Sequence, residues 1–224
     1  MSIILDPALL KGMESTVGHA GPFTVEECEN IKDLHIRNSR NLIGLDQCST
    51  LEVLTLVACD PVDMGQAAAL KKLRSLTVRD SGLESLKDIA KLPLLSCYTP
   101  RNLISDITPL IRAARLRNLD LTGNPLSEIS YRQLIPDLLG RGCRVIYSDE
   151  LEWKLTHHLH DEGVSISCYR SDKGYRLCRP GLRLTGSPEY GHPVIRERDV
   201  HSLLKGDPER AHAYFGDEKL VPFA

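Results

Sequence analysis

The residues best suited to chemistry lie in one stretch of the C-terminal half, where three histidines and an aspartate fall close together. On a helix, His157, His160 and Asp161 are three and four residues apart and therefore share one face. Cys168 and Cys178 follow on two segments that we expect to pair as a hairpin, with the two thiols opposite each other. Imidazole and thiolate are ligands of zinc, which takes four such groups in a tetrahedral array.

The spacing of these residues matches no zinc motif. A polar helix face followed by two thiols in a hairpin is the simpler interpretation, so we predict no metal site and no cofactor. His157, His160 and Asp161 are the candidates if a metal does bind. A nucleophilic Cys–His pair is not predicted either, because seven cysteines and eight histidines make chance pairs inevitable.

Two other segments carry suggestive residues without a matching motif. Residues 186–192 lack the spacing and the strand-to-helix setting of a phosphate loop. Arginines occur together with tyrosines, as in surfaces that stack on nucleic acid, at Tyr169, Tyr175, Arg176, Arg179 and Arg183. Acidic neighbours and a net charge of −2 favour ordinary solvated strands, so we expect neither nucleic acid nor a membrane as a partner.

A sequence repeat predicts the secondary-structure elements that position these side chains. Its clearest unit is residues 116–129, where leucines alternate as in a strand, turn residues follow, and apolar residues resume at the spacing of a helical or 3₁₀ turn. The inward positions of this unit are Leu116, Leu119, Leu121, Asn124, Leu126 and Ile129. Shifts of 20 to 22 residues place the pattern on four earlier units, beginning at Ile31, Leu51, Leu73 and Leu94. One unit cannot bury its leucines alone, so we expect the five to stack as rungs of a coil.

These rungs resemble the leucine-rich repeat family, in its short form of about 22 residues like that of internalins and phosphatase-regulating proteins. The resemblance covers residues 31–132 and implies an α/β solenoid with a parallel sheet on its concave face. It also implies that the residue in the asparagine slot of each rung hydrogen-bonds backbone groups of the next turn. That slot holds Ser39, Cys59, Ser81, Asn102 and Asn124. Serine and cysteine bond less fully than asparagine, so we expect a looser first half of the solenoid, and an irregularity at Pro100.

The chain is expected to divide into three parts. Residues 1–30 form an N-terminal cap, residues 31–148 form the solenoid with a closing helix and strand, and residues 149–224 form a small α+β subdomain of no recognised family. The cap covers the first rung with Ile3, Ile4, Leu5, Leu9, Leu10 and Phe23, beside a capping box at residues 24–27. The subdomain is expected to contain a helix over residues 149–161, the hairpin, a third strand near Leu182 and Leu184, and two short helices.

Binding of another protein is the function that the resemblance implies, because the concave face of such a solenoid is the usual surface for protein partners. The predicted contact residues are the outward strand positions His35, Arg37, Val53, Thr55, Val57, Thr77, Arg79, Tyr98 and Asp120. Val53, Val57, Leu95 and Tyr98 would form an apolar patch of the kind that marks interfaces. An inhibitor or immunity protein against a toxin or effector is one such role, to which a net charge of −2 gives no support.

Two alternatives stay open. The chain can be an enzyme or metal-binding protein with its chemistry in residues 149–224, the repeats selecting the substrate, or it can be a constant subunit of a larger assembly. We favour a non-enzymatic monomer or heterocomplex.

Seven cysteines without a CxxC pair indicate a reduced, cytoplasmic protein. The first 13 residues lack the basic start of a signal peptide, and no stretch approaches the ~20 apolar residues of a membrane span, so we expect neither element.

Overall fold

The computed structural model describes residues 6–59 and 64–216. Two helices, α1 (Pro7–Val17) and α2 (Val25–Asn30), precede one six-stranded parallel sheet. Its strands are β1 (Asp33–Arg37), β2 (Val53–Val57), β3 (Ser75–Arg79), β4 (Ser96–Tyr98), β5 (Asn118–Asp120) and β6 (Arg144–Ile146). Between strands the chain returns on the convex side through 3₁₀ helices at Leu45–Gln47, Met64–Ala69, Ile89–Lys91 and Thr108–Arg112. The predicted α/β solenoid of leucine-rich repeats is confirmed.

The register of the sheet is the one that the leucine spacing predicts. The strands lie in chain order from β1 to β6, and equivalent residues of successive rungs are directly paired. The inward row is Leu34, Leu54, Leu76, Cys97, Leu119 and Val145, all in the buried core. Because a shift by one residue would turn this whole row to solvent, burial of the row fixes the register.

Every rung turns at the same point, just past its strand, through a residue with a left-handed backbone. These residues are Asn38, Ala58, Asp80, Arg101 and Gly123, with φ between 52° and 68°. Gly123 is the clearest signal of a corner in the sequence, and Asn38 and Asp80 are types that adopt this conformation more often than most. Ala58 and Arg101 give no such signal and adopt it at a cost of about 1 kcal/mol or more. The packed core of the solenoid must therefore hold them there.

The asparagine slot follows each corner, and its hydrogen bonds weaken with residue type as predicted. The Asn124 amide donates to the carbonyl oxygens of Thr99 (2.8 Å) and Leu121 (3.0 Å) and accepts from the N–H of Ile104 (3.2 Å). Ser81, one of the two serines in this slot, accepts one backbone N–H, from Cys59, and donates to one carbonyl oxygen, of Arg79. The partners of Asn124 at residues 99 and 104 belong to the preceding turn, so the expected direction, toward the next turn, is wrong.

The expectation of a looser first half is also wrong for the sheet itself. Strands β1 to β3 contain five residues each, whereas β4 to β6 contain three. Pro100 has no N–H to extend the ladder, but β5 and β6 are as short as β4, so a short strand is not specific to the rung of Pro100.

The fifth rung departs from the repeat on its convex side. Ile129, predicted to point inward, is 58% exposed, while Ser130 is 1% exposed. A π-helical turn (Ser130–Leu134) begins here and leads into α3 (Ile135–Gly140), which changes the side-chain phase of the last turn. The Ser130 hydroxyl accepts from the N–H of Ile107 (3.2 Å) and replaces the apolar contact.

The N-terminal helices cover the first rung. Leu9 and Met13 of α1 are buried, and Phe23 packs against the core. A Cβ at Gly12 would lie 2.9 Å from the carbonyl oxygen of His35, so the glycine lets α1 lie close to β1. The predicted capping box of Thr24 and Glu27 opens α2. Ile3, Ile4 and Leu5, also predicted to cover the first rung, lie outside the described residues.

The C-terminal part contains α4 (Glu150–Asp161), a hairpin of β7 (Ser167–Ser171) and β8 (Gly174–Cys178), then β9 (Val194–Ile195), α5 (Glu197–Lys205) and a 3₁₀ helix (Pro208–Phe215). The third strand of its antiparallel sheet is β9, so the prediction of a strand at Leu182 and Leu184 is wrong. Leu155 and Leu159 lie in a second hydrophobic core, whereas Trp153 lies in the solenoid core. Within the described ranges, no helix combines the length and the apolar character that crossing a membrane requires.

Candidate functional site

One row of side chains crosses the whole concave face at the middle of its strands. The row is His35, Thr55, Thr77, Tyr98, Asp120 and Ile146. His35 and Ile146, at the two ends, are exposed, and the four residues between them are partly exposed. Parallel strands lie about 4.8 Å apart, so these side chains are close neighbours on a continuous surface.

A second row runs parallel to it, one pleat toward the beginning of the strands. It consists of Asp33, Val53, Ser75, Ser96, Asn118 and Arg144. The Asn118 side-chain amide donates to the Ser96 hydroxyl at 3.1 Å, so neighbouring rungs are connected on the surface as well as in the core.

The third row contains Arg37, Val57 and Arg79, and here one predicted contact residue must be corrected. Val57 lies between the two arginines in the register and is only 1% exposed, so it offers no surface to a partner. Val53 is partly exposed and Leu95 is 44% exposed. The predicted apolar patch is therefore smaller than expected and lacks Val57.

The C-terminal end of the concave face has both polar and apolar side chains around a shallow depression. A depression of about 150 Å³ is lined by Tyr98, Asn118, Leu119, Arg144 and Ile146. Ile146 is 46% exposed. Ile146 was not among the predicted contact residues, although its place beside Asp120 follows once Val145 is taken as the inward residue of β6.

A groove of about 560 Å³ lies at the other end of the face, between α1 and β1. Lys11, Gly12, Ser15, His35, Arg37 and Asn38 are among the residues that line it. Lys11 and Ser15 could not be identified from the repeat, since they belong to the cap. The signal for them was Gly12, whose missing side chain brings α1 against the strand.

Residues 180–193, which we name the strap, run back along the solenoid at the edge where the strands end. The N–H of Gly181 donates to the carbonyl oxygen of Asp80 (3.2 Å), in the third rung. Further along, Arg37 of the first rung donates from Nη1 to Oε2 of Glu189 (3.3 Å). The strap thus extends from the middle of the solenoid to the lip of the groove.

An ion pair between two rungs of the solenoid, Arg101 with the buried Asp80, contacts the hairpin through Tyr169. Arg101 donates from Nε and Nη2 to the two carboxylate oxygens of Asp80, the second bond measuring 2.9 Å. Its guanidinium lies 5.0 Å from the ring centroid of Tyr169 on β7. The Tyr169 hydroxyl in turn lies 2.8 Å from Nδ1 of His192 in the strap. Burial raises the pKa of Tyr169 and lowers that of His192, which favours a hydrogen bond between neutral groups.

The candidate metal ligands His157 and His160 contact different side chains. Nδ1 of His157 lies 2.8 Å from Oδ2 of Asp161, whereas Nε2 of His160 lies 3.2 Å from the Ser167 hydroxyl. Burial lowers the pKa of His160 to about 4. Across residues 6–59 and 64–216, no three His, Cys, Asp or Glu side chains form a group that could hold a metal ion.

The two cysteines of the hairpin do not face each other, which corrects the prediction. Cys178 pairs with Ser167 and Cys168 pairs with Leu177, so the thiols are offset by one position and point to opposite faces of the sheet. Both are buried, and burial raises the pKa of each thiol. Neither is poised as a thiolate nucleophile.

The arginines considered for nucleic acid make contacts within the protein. Arg176 donates to the carbonyl oxygen of His192 (2.7 Å), and Arg179 lies with its guanidinium 3.9 Å from the Phe215 ring centroid. Arg183 reaches Glu84 of the solenoid, at 3.7 Å. These contacts position the strap and the last helices.

No protein-family model and no curated protein matches the chain. A solved structure of internalin C2 from Listeria monocytogenes aligns with a TM-score of 0.46 and 16% identity, over 65% of this chain and 77% of that one. Internalin InlF of the same organism aligns with a TM-score of 0.34 and 18% identity, over 63% of this chain and 55% of that one. This chain thus spans about half the length of InlF. The assignment of the fold rests on the strand register described above.

Proposed function

We propose that this protein is a non-enzymatic binding module whose concave sheet takes a protein partner. The observation that carries the proposal is the unbroken row of exposed and partly exposed side chains from His35 to Ile146 across six strands. Six strands spaced about 4.8 Å apart give a row roughly 24 Å long, which suits a macromolecule better than a small ligand.

The composition of the centre of this face supports the same function. Tyr98 stands between Thr77 and Asp120, with Leu95 three residues before it on the same rung. Tyrosine buries a large area at small entropic cost and is enriched among the residues that dominate binding energy. Polar neighbours around such an anchor exclude water when the partner docks.

The contacts of the C-terminal residues weigh against catalysis as the main activity. His160 bonds to Ser167, and the pKa of the Cys168 thiol is raised by burial, so the groups considered for chemistry serve the packing of the second core. We propose that this part supports the solenoid through α4 and the strap and takes no substrate.

The test is capture of partners from the native host by the tagged full-length protein, compared between two tyrosine variants. We expect Tyr98→Ala to weaken capture by about tenfold or more, the usual cost of losing an anchor residue. Tyr214→Ala removes an equally large side chain from the C-terminal surface and should leave capture unchanged. Retention of partners by Tyr98→Ala, or their loss only with Tyr214→Ala, would contradict the proposal, provided both variants melt as the parent does.

We propose a narrower form of this function in which the protein, as a monomer or a heterocomplex in the cytoplasm, inhibits a toxin or effector by covering its surface. Seven buried thiols suit a reducing compartment. The inhibitory role rests on analogy of fold alone. Co-expression with the captured partner tests it, since an inhibitor relieves the toxicity of its target and a scaffold does not.

A further inference from the structure

The groove between α1 and β1 has the electrostatic character of a site for acidic groups. Lys11 of α1 and His35 and Arg37 of β1 line it together. The nearest acidic strand residue, Asp33, lies two positions before His35 and does not belong to the lining residues. The carboxylate of Asp6, at the start of α1, already accepts the backbone N–H groups of Ala8 and Leu9. Within the described part of the chain, the lining residues of the groove thus include Lys11 and Arg37 and no carboxylate.

The contact between the strap and Arg37 indicates which chemical group can bind at this end of the concave face. Glu189 reaches Arg37 from 152 residues away in the sequence, with its side chain only 10% exposed. The Arg37 side chain as a whole stays 38% exposed, so Glu189 does not cover it completely. An arginine presents five donors, more than a single carboxylate oxygen at 3.3 Å uses. Glu189 thus occupies the position that a carboxylate of a partner would take.

We propose that the groove binds an acidic segment of the protein partner, with glutamate or aspartate side chains on Lys11, His35 and Arg37, and that Glu189 of the strap competes for the same cation. The inference rests on the proposed function and adds the chemistry of the partner's contact at the first rung. The segment enters along α1, and the rest of the partner covers the row toward Tyr98. Release of Glu189 frees the strap end near Arg37 when the acidic segment binds.

The lining residues favour an acidic peptide over a phosphate backbone. The groove contains no Phe, Tyr or Trp among its lining residues within the described part of the chain, so it offers bases no stacking platform. A volume of about 560 Å³ accommodates a few side chains of a peptide.

The experiment measures fluorescence anisotropy of a labelled octaglutamate peptide with the full-length protein at low and high salt. We expect binding that weakens with salt, falls about tenfold or more in Lys11→Glu, and does not fall in Lys173→Glu, which reverses an exposed lysine in the β7–β8 turn. The discriminating variant is Glu189→Gln. It removes the internal competitor and should tighten octaglutamate binding by a few-fold, the size expected of a partly exposed ion pair.

Failure of octaglutamate to bind, or unchanged binding in Glu189→Gln, would overturn the inference. Tighter binding of an oligothymidine of similar length would overturn it as well, by assigning the groove to phosphates. Octaglutamine supplies the neutral control. Because this assay needs no native partner, its failure is distinct from failure of the capture test at Tyr98.

Discussion

Trp153 stacks on Tyr131 with ring centroids 4.1 Å apart and ring planes 7° from parallel. The contact joins α4 to the closing helical segment of the solenoid, and the indole N–H donates to the carbonyl oxygen of Leu126 at 2.7 Å. Trp153 is 2% exposed and belongs to the solenoid core, while Leu155 of the same helix belongs to the second core. Helix α4 is therefore the element that both cores share.

Replacing this tryptophan should destabilise the whole protein. We expect Trp153→Ala to lower the free energy of unfolding by about 3–5 kcal/mol, the usual cost of truncating a buried large aromatic residue. Trp153→Phe keeps a stacked ring but leaves the Leu126 carbonyl unpaired, so we expect a loss of about 1–3 kcal/mol. Urea denaturation followed by circular dichroism measures both. Equal stability of Trp153→Ala and the parent would mean that α4 is not docked on the solenoid.

The repeat register can be tested with two apolar residues of the fifth rung. Leu119 is 1% exposed on β5, and Ile129 is 58% exposed although the sequence repeat predicts it to be inward. Leu119→Ala should cost about 2–5 kcal/mol because it opens a cavity between Cys97 and Val145 in the buried row. Ile129→Ala, a truncation of the same size, should change the free energy of unfolding by less than about 0.5 kcal/mol. The reverse order of the two effects would show the side-chain phase to be wrong.

Attachment of the strap depends on a glycine that lies against another backbone. A Cβ at Gly181 would lie 2.9 Å from the backbone of Gly82, whereas one at Gly163 meets nothing within 4 Å. Both residues have a left-handed backbone, with φ of 87° and 83°, so alanine pays a similar conformational cost of about 1 kcal/mol at either site. We expect only Gly181→Ala to accelerate hydrogen exchange across residues 180–193. Similar exchange in both variants would contradict a close contact between strap and solenoid.

Acid sensitivity should follow from the buried imidazole of His160. Burial lowers its pKa to about 4 in the folded protein, against 6.5 for the ordinary group. At pH values between the two, His160 binds a proton in the unfolded chain but not in the folded chain. The free energy of unfolding therefore falls as the pH drops from about 6.5 to 4. His160→Gln should reduce the slope of stability against pH in this window, by at most about 1.4 kcal/mol per pH unit. His201→Gln, at an exposed position on α5, is the matched control.

The strands and their register could be predicted from the sequence because they follow the periodic spacing of its leucines. Leu34, Leu76 and Leu119 recur at nearly constant spacing, and only one register buries them all. The corners at Ala58 and Arg101 were hidden because these residues carry no conformational signature of a left-handed backbone. The burial of Val57 and the contact of Glu189 with Arg37 depend on tertiary packing, in the second case between residues 152 positions apart, for which a single sequence contains no local signal.

The candidate site likewise contains residues that the repeat predicts and residues that depend on tertiary packing. The outward residues Thr55, Thr77, Tyr98 and Asp120 follow from strand alternation once the register is known. Lys11 does not follow, since its place beside the sheet depends on how α1 packs on β1.

The measurement that tests the central claim most directly is photo-crosslinking of the full-length protein in its native host. A benzophenone amino acid is placed in turn at Thr77, in the middle of the concave row, and at Arg112, at the end of a 3₁₀ helix on the convex side. We predict that Thr77 gives a crosslinked protein adduct that disappears in the Tyr98→Ala background, and that Arg112 does not give this adduct. The same adduct from Arg112, with none from Thr77, would contradict the assignment of the concave sheet as the binding face.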